Sequence, residues 1–202
     1  MTKVSVLIPS YNCARYLPQA LDSALGQTFT DFEILVIDDG STDNTRAVVD
    51  EYRGKAPDKV RYIYQENQGL AYARNTGLRH AKGEYVALLD ADDVWLPTRL
   101  EETVKALDAD GSTGIAHANI TRISEGGEEL DTPRREAQYL SGYIFKNIFL
   151  RDAHLSCPTV LFRKKCCEEV GGFDPALARL GCEDRELWLR ISQKFKIHYI
   201  DK

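Results

Sequence analysis

The stretch Tyr85-Val86-Ala87-Leu88-Leu89-Asp90-Ala91-Asp92-Asp93 decides how the rest of the chain is read. It is an apolar run that ends in three acids within four positions. The run predicts a buried strand, with the acids left at the edge of its sheet. In open α/β sheets that edge, outside the carboxyl ends of the strands, is where ligands bind. On an extended backbone Asp90 and Asp92 would share a face. Two such carboxylates repel unless a cation or a hydrogen-bonding ligand lies between them. A hard divalent ion bridging to a phosphate suits them, because Mg²⁺-type sites combine one or two carboxylates with substrate oxygens. A solvated acidic loop ahead of the next helix is the competing explanation. An isolated Asp-x-Asp does not separate the two.

Outward from this stretch, strands alternate with single helices. Val4–Pro9 is a near-continuous apolar strand. Leu17, Ala20, Leu21 and Ala24 follow at helical spacing, with Gly26 as a stop. Phe32–Asp38 is a second buried strand, and Asp39-Gly40-Ser41 is a turn. Thr45, Val48, Val49 and Tyr52 form a helical stripe. Val60–Gln65 alternates, as a less buried strand does. Gly69–His80 predicts a helix with Leu70, Ala73, Gly77 and Leu78 inward. Gly83 breaks that pattern, and Pro97 opens a helix carrying Leu100, Val104 and Leu107. Parallel neighbours need crossover connections, and these are right-handed, so the order implies a mostly parallel sheet with helices on both faces.

Beyond Gly111 the pattern changes. Gly114–Ser124 predicts one or two strands, Glu125–Glu136 a turn or mobile loop, and Tyr139–Leu150 a helix. Pro158–Arg163 predicts a short strand. Glu183–Gln193 is an amphipathic helix with Leu187, Trp188 and Ile191, and Lys196–Ile200 is a last strand. The expectation is one domain over 1–202, with a nucleotide-type half (1–110) and a second half (111–202), trimmed at its C-terminus from a longer polypeptide.

With 202 residues the chain can bury a sizeable core. Its formal net charge of -5 gives no electrostatic reason to expect nucleic acid. No apolar run approaches the roughly 20 residues that span a bilayer. Met1-Thr2-Lys3 leads straight into a strand, without a signal peptide, which points to the cytoplasm. Five cysteines without a Cys-x-x-Cys support neither a disulfide framework nor a zinc site.

Polar residues end three of the strands. Tyr11 could stack on a base or rest on the first helix. Asp39 could accept a hydrogen bond from a base or ribose, or serve its turn. Ser41 or Asp43 could cap the second helix instead. Arg74 could pair with a phosphate or lie on a solvated face. The segment Pro9-Ser10-Tyr11-Asn12-Cys13-Ala14 holds no glycine, so neither a dinucleotide fingerprint nor a P-loop is present. A metal on the aspartates is the obvious substitute for a glycine cradle. Glu183-Asp184 opens the helix around Trp188. A carboxylate there could be a cap or could take a proton from an attacking hydroxyl.

The ordered set Val4–Asn12, Gln27-Thr28, Phe32–Ile34, Val36–Ser41, Gly69–Gly77, Gly83–Tyr85, Leu89–Asp93, Gly171–Asp174 and Glu183-Asp184 resembles the family 2 glycosyltransferases. The resemblance implies a GT-A fold: a Rossmann-like, mostly parallel central sheet, helices on both faces and a smaller acceptor-side sheet. It implies inverting transfer from a nucleotide-diphosphate sugar, most often a UDP sugar, with Mn²⁺ or Mg²⁺. The acceptor would be a glycan or lipid-linked hydroxyl, in surface polysaccharide synthesis. By the same resemblance Tyr11 and Asp39 hold the base, Pro9 flanks that pocket, and Asp38 is a supporting position. Asp90 faces the ribose or sugar, Asp92 contacts the metal, and Asp93 lies near the donor sugar. Asp184 is the catalytic base, with Glu183 and Trp188 on the acceptor side. It leaves room for peripheral attachment of the full-length protein to the inner face of the membrane.

Two departures stand out. The Gln-x-x-Arg-Trp motif of processive members is absent, since Arg185, Trp188 and Arg190 do not reproduce its order, so single-sugar or short-range transfer is expected. Family members also often continue past the last strand, sometimes with a further metal ligand, for which His198 is a weak stand-in. The alternatives are a sugar nucleotidyltransferase, which would want a Gly-rich basic loop near the N-terminus, and a non-catalytic nucleotide- or carbohydrate-binding module.

Overall fold

The computed structural model describes residues 2–130 and 139–201. Seven strands make one sheet: β1 (Val4–Ser10), β2 (Phe32–Asp39), β3 (Val60–Gln65), β4 (Tyr85–Leu88), β5 (Thr113–Ala118), β6 (Leu161–Arg163) and β7 (Lys196–Ile200), in the order β3-β2-β1-β4-β6-β5-β7. Strands β1 to β4 pair in parallel. β6 runs antiparallel between β4 and β5, and β7 is parallel to β5. The carboxyl ends of β1, β2, β4, β5 and β7 therefore lie along one edge.

Burial on both faces explains why β1 and β2 read as continuous apolar runs, whereas β3, at the sheet edge, is only partly buried. Helices α1 (Leu17–Leu25), α2 (Thr45–Lys55) and α4 (Arg99–Ala109) pack with Val4, Val6, Ile8 and Ala87 on one face. Helices α3 (Leu70–His80), α5 (Phe145–Leu150), α6 (Lys164–Glu169) and α7 (Glu183–Ser192) pack with Leu7, Leu35, Val86 and Phe162 on the other. Arg163 seals the antiparallel insertion. Its Nε donates to the Thr113 carbonyl (2.9 Å) and its Nη2 to the Leu107 carbonyl (2.6 Å).

Several expectations are corrected. The separate acceptor-side sheet is reduced, among the described residues, to the isolated bridges Ile123–Glu129 and Gly142–Ile197. The helix expected over Tyr139–Leu150 starts only at Phe145, because Gly142 (φ 104°) is extended against Ile197. Pro97 lies ahead of α4, which opens at Arg99 after Thr98. Leu70, expected inward, is 36% exposed. The Glu125–Glu136 segment forms a turn over its first residues, and 131–136 fall outside the described residues.

Candidate active site

The strand β4 stops at Leu88, and the amide of Asp93 donates to the Asp90 carbonyl at 3.1 Å. The acids thus lie on a turn and not on extended backbone, so Asp90 and Asp92 do not share a strand face. Asp90 points inward and accepts from Arg74 Nη2 at 2.9 Å. Asp92 is exposed and makes no hydrogen bond or ion pair among the described residues. Asp93 is half-buried, and its carboxyl is pushed up to about 6, by burial first and then by the charges of Asp90 and Asp92. Crowded acids with one open carboxylate are the donor set a hard divalent cation favours. Among the described residues no cluster of three His, Cys, Asp or Glu is placed to hold a metal. An ion on Asp92 would therefore complete its shell with ligand oxygens, as Mg²⁺-type ions do in phosphate sites.

The loops after β1 and β2 are stitched together. Asn12 takes a left-handed backbone (φ 53°), which asparagine tolerates better than most residues. Its amide donates to Ser41 Oγ (3.0 Å), and its Oδ1 accepts from the Thr42 amide (2.8 Å). Asp43 ties the start of α2 to the first loop, accepting from Thr45 N–H (3.0 Å) and Ala14 N–H (3.0 Å). Tyr11 stands 51% exposed on this frame, and Pro9 is buried inside β1. Asp38 accepts from Ser41 N–H (2.8 Å) and the Tyr62 hydroxyl (2.6 Å). Asp39 is 4% exposed and already engaged: Oδ1 accepts from Gln65 Nε2 and Gln68 N–H, and Oδ2 from Gly69 N–H. It forms the floor of this end of the site and anchors the start of α3.

Helix α7 begins at the same edge. Asp184 is half-buried; its Oδ1 accepts from the Arg185 amide (2.6 Å), and its Oδ2 makes no hydrogen bond among the described residues. Three expected residues are placed differently. Arg74 is 1% exposed and bonds Asp90 and Glu183, so it is not open to a phosphate. Glu183 is 3% exposed on Arg74, so it does not face an acceptor. Trp188 is 1% exposed and packs against Phe162 and Phe173, so it belongs to the core.

Residues missing from the sequence expectations also shape the site. Cys157 is buried beneath it, within the field of Arg74, Asp90, Asp184 and Glu183, and burial pushes its thiol well up. Glu125 reaches back across the edge to Arg15 Nη2 (3.0 Å) and the Tyr16 hydroxyl (2.7 Å). A buried free cysteine and a surface glutamate are each ordinary in any globular protein, so nothing short of the fold marks them.

A sheet of this order, with an acidic turn after β4 and a half-buried aspartate in the first turn of α7, brings carboxylates from separate parts of the chain to one edge of an α/β domain. The Glycosyl transferase family 2 model matches residues 5–171, and the chain belongs to that family. An uncharacterized glycosyltransferase of Nostoc sp. is 38% identical over 187 residues, 89% of this chain and 58% of the relative. Chondroitin synthase of Escherichia coli is 30% identical over 202 residues, 98% of this chain and 28% of the relative. The chain thus spans about three-fifths, or less, of the curated relatives it matches. Among solved structures, S. aureus TarS 1–349 superposes with a TM-score of 0.80 at 24% identity, over 99% of this chain and 58% of that one. The same TarS fragment in complex with UDP-GlcNAc gives 0.76 at 22% identity, over 99% and 59%. The mannosyltransferase PcManGT from Pyrobaculum calidifontis, in complex with GDP-Man and Mn²⁺, gives 0.76 at 25% identity, over 99% and 55%. These likenesses establish a GT-A-type fold. Among the described residues no helix is long and apolar enough to cross a membrane.

Proposed function

We propose that this chain is the catalytic domain of a metal-dependent, inverting glycosyltransferase that moves a hexosyl or N-acetylhexosaminyl group from a nucleotide-diphosphate sugar to an acceptor hydroxyl. The observation that carries this is the juxtaposition of an open Asp92 with a base-bearing helix, Asp90 and Glu183 being held by the same arginine. Tyr11, just past the end of β1, offers an exposed ring for a base, with Asp39 at the end of the neighbouring β2 and Pro9 flanking it in sequence. Asp90 and Asp93 line the donor sugar. Asp92 holds Mn²⁺ or Mg²⁺, which supplies Lewis-acid stabilisation of the departing diphosphate. Asp184 accepts the acceptor's proton on the free Oδ2 as the hydroxyl attacks opposite the leaving group, and attack from that side inverts the anomeric centre. General-base help of this kind is worth on the order of 10²–10⁴-fold.

A UDP donor is supported by the TarS complex, and a glycan acceptor in polysaccharide synthesis by the chondroitin synthase relatives. A lipid-linked acceptor, with the full-length protein working from the cytoplasm at the inner face of the membrane, fits the same scheme.

Calorimetry with UDP, with and without Mn²⁺, tests the proposal alongside hydrolysis of a panel of nucleotide sugars. Asp92→Asn is expected to abolish the metal-dependent part of UDP binding. Asp184→Asn is expected to spare binding and remove transfer. Tight UDP binding that ignores both Mn²⁺ and Asp92→Asn would sink the assignment.

A further inference from the structure

Arg74 is the least exposed charged side chain among the described residues, at 1%, and it has two anionic partners, 16 and 109 positions away in the sequence. Its Nη2 donates to Asp90 Oδ1 at 2.9 Å, and its Nη1 contacts Glu183 Oε1. Asp90 belongs to the acidic turn that presents Asp92. Glu183 is the first residue of α7 and precedes Asp184. The phenyl face of Phe173 lies 5.6 Å from the guanidinium. Arg74 Nε and Glu183 Oε2 have no partner among the described residues, so the bonds to Asp90 and Glu183 carry the site's electrostatic compensation. Breaking one side of a buried ion pair leaves an uncompensated charge and is strongly unfavourable.

The backbone around Arg74 makes the same connection. Gly69 N–H donates to Asp39 Oδ2 (2.8 Å), and Leu70 N–H donates to the Ala178 carbonyl (3.2 Å). Asn75 and the Phe173 backbone exchange two hydrogen bonds. The first turns of α3 therefore join the end of β2, the acidic turn after β4 and the segment leading into α7. Gly77 lets this helix lie close: a Cβ there would come within 2.8 Å of Leu7 Cδ1 and 3.0 Å of Ile37 Cδ1.

We infer that Arg74 is a positioning residue that couples the donor side of the site to its base, so that the acidic turn and the first turn of α7 hold one another in place. A guanidinium suits this task because its planar fork addresses two carboxylates at fixed angles, whereas an ammonium is a single point charge. The inference rests on the proposed function for its catalytic meaning, but its structural content does not.

Hydrogen exchange on the full chain tests the link without activity. Glu186 N–H bonds the Cys182 carbonyl in the first turn of α7 (3.1 Å), so amides 186–188 report on that turn. Asp90→Ala is expected to speed their exchange roughly tenfold or more, the size of losing one charge-assisted bond. The same change in an Arg74→Lys background, or in Glu183→Gln should Arg74→Lys fail to fold, is expected to add little. Equal acceleration in both backgrounds, or none in either, overturns the link.

Kinetics supplies the second reading. Arg74→Lys is expected to lower kcat at least about tenfold while UDP affinity stays within about threefold, the pattern of an interaction that matters in the transition state. Weakened UDP binding at unchanged kcat would make Arg74 a phosphate clamp and overturn the inference. A wild-type chain inert toward every nucleotide sugar would instead defeat the proposed function, and the exchange experiment would still judge Arg74.

Discussion

Asn75 and Phe173 are joined by a reciprocal pair of hydrogen bonds: Asn75 Nδ2 donates to the Phe173 carbonyl at 2.8 Å, and the Phe173 amide donates to Asn75 Oδ1 at 3.0 Å. A side-chain amide thereby imitates a strand partner across 98 residues. Gly172, just before, has φ 76°, and a Cβ there would sit 2.9 Å from Asn75 Oδ1.

Asn75→Asp keeps the acceptor but turns the donor into an oxygen facing a carbonyl. It should cost about 2 kcal/mol, the usual scale for a buried polar group left unsatisfied. Gly172→Ala should destabilise comparably, through left-handed backbone strain plus the close contact. Urea denaturation of the two single variants and the double variant checks this. The double should fall short of additivity, since both changes damage one clamp.

Gly83 is required by proximity alone. A Cβ at this position would lie 2.5 Å from Ser5 N and 2.7 Å from Val4 C, against backbone that cannot step aside. Gly83 N–H also donates to Ser5 Oγ, which donates to Glu33 Oε1, both at 2.8 Å. Gly83→Ala is expected to lose about 3 kcal/mol or more by parting β1 from the entry to β4. Thermal unfolding would read this directly, and an unchanged Tm would refute it.

Trp188 packs between Phe162 and Phe173, at ring separations of 5.9 and 6.5 Å. Trp188→Ala should cost about 3–5 kcal/mol. Trp188→Phe should be much milder, because the indole Nε1 has no partner to lose among the described residues. A contact with acceptor would show differently, as a raised acceptor KM in Trp188→Phe at unchanged Tm.

His117 in β5 is 2% exposed, and neither ring nitrogen has a partner among the described residues. Burial first, then the charges of His154 and His198, push its pKa down to about 4. The ordinary value is about 6.5. Between about pH 6.5 and 4 the unfolded chain takes up a proton that the folded chain refuses, so stability falls as pH falls through that window. The loss approaches the order of 3 kcal/mol by pH 4. His117→Phe should flatten this acid limb while leaving the neutral-pH plateau nearly in place, as measured by urea midpoints across the range.

How much of this was visible in the residues divides along a physical line. The strands β1, β2 and β4 announced themselves because burial on both faces demands unbroken apolar runs. The acids were placed correctly, as the last residues of β2 and just beyond β4. Arg74, Glu183 and Trp188 were misplaced for one shared reason. A charged or amphipathic residue on a helix reads as surface until its partner is known, and here the partners lie 15 to 109 positions away. The shortened α5 has a different cause. Gly142 is drawn into pairing with Ile197, and such tertiary competition leaves no mark in local periodicity.

The antiparallel β6 is only three residues long, yet it arrives from residue 161 to sit against β4. Until it does, the edge of β4 offers unpaired amides and carbonyls to any passing chain. A ribosome-bound or proteolysed fragment ending near residue 110 would carry that bare edge, with the apolar faces of Val86 and Ala87 beside it. Such edges are templates for aggregation. The first half of this protein should thus be poorly soluble by itself, and recoverable when a peptide spanning 157–170 is supplied in trans.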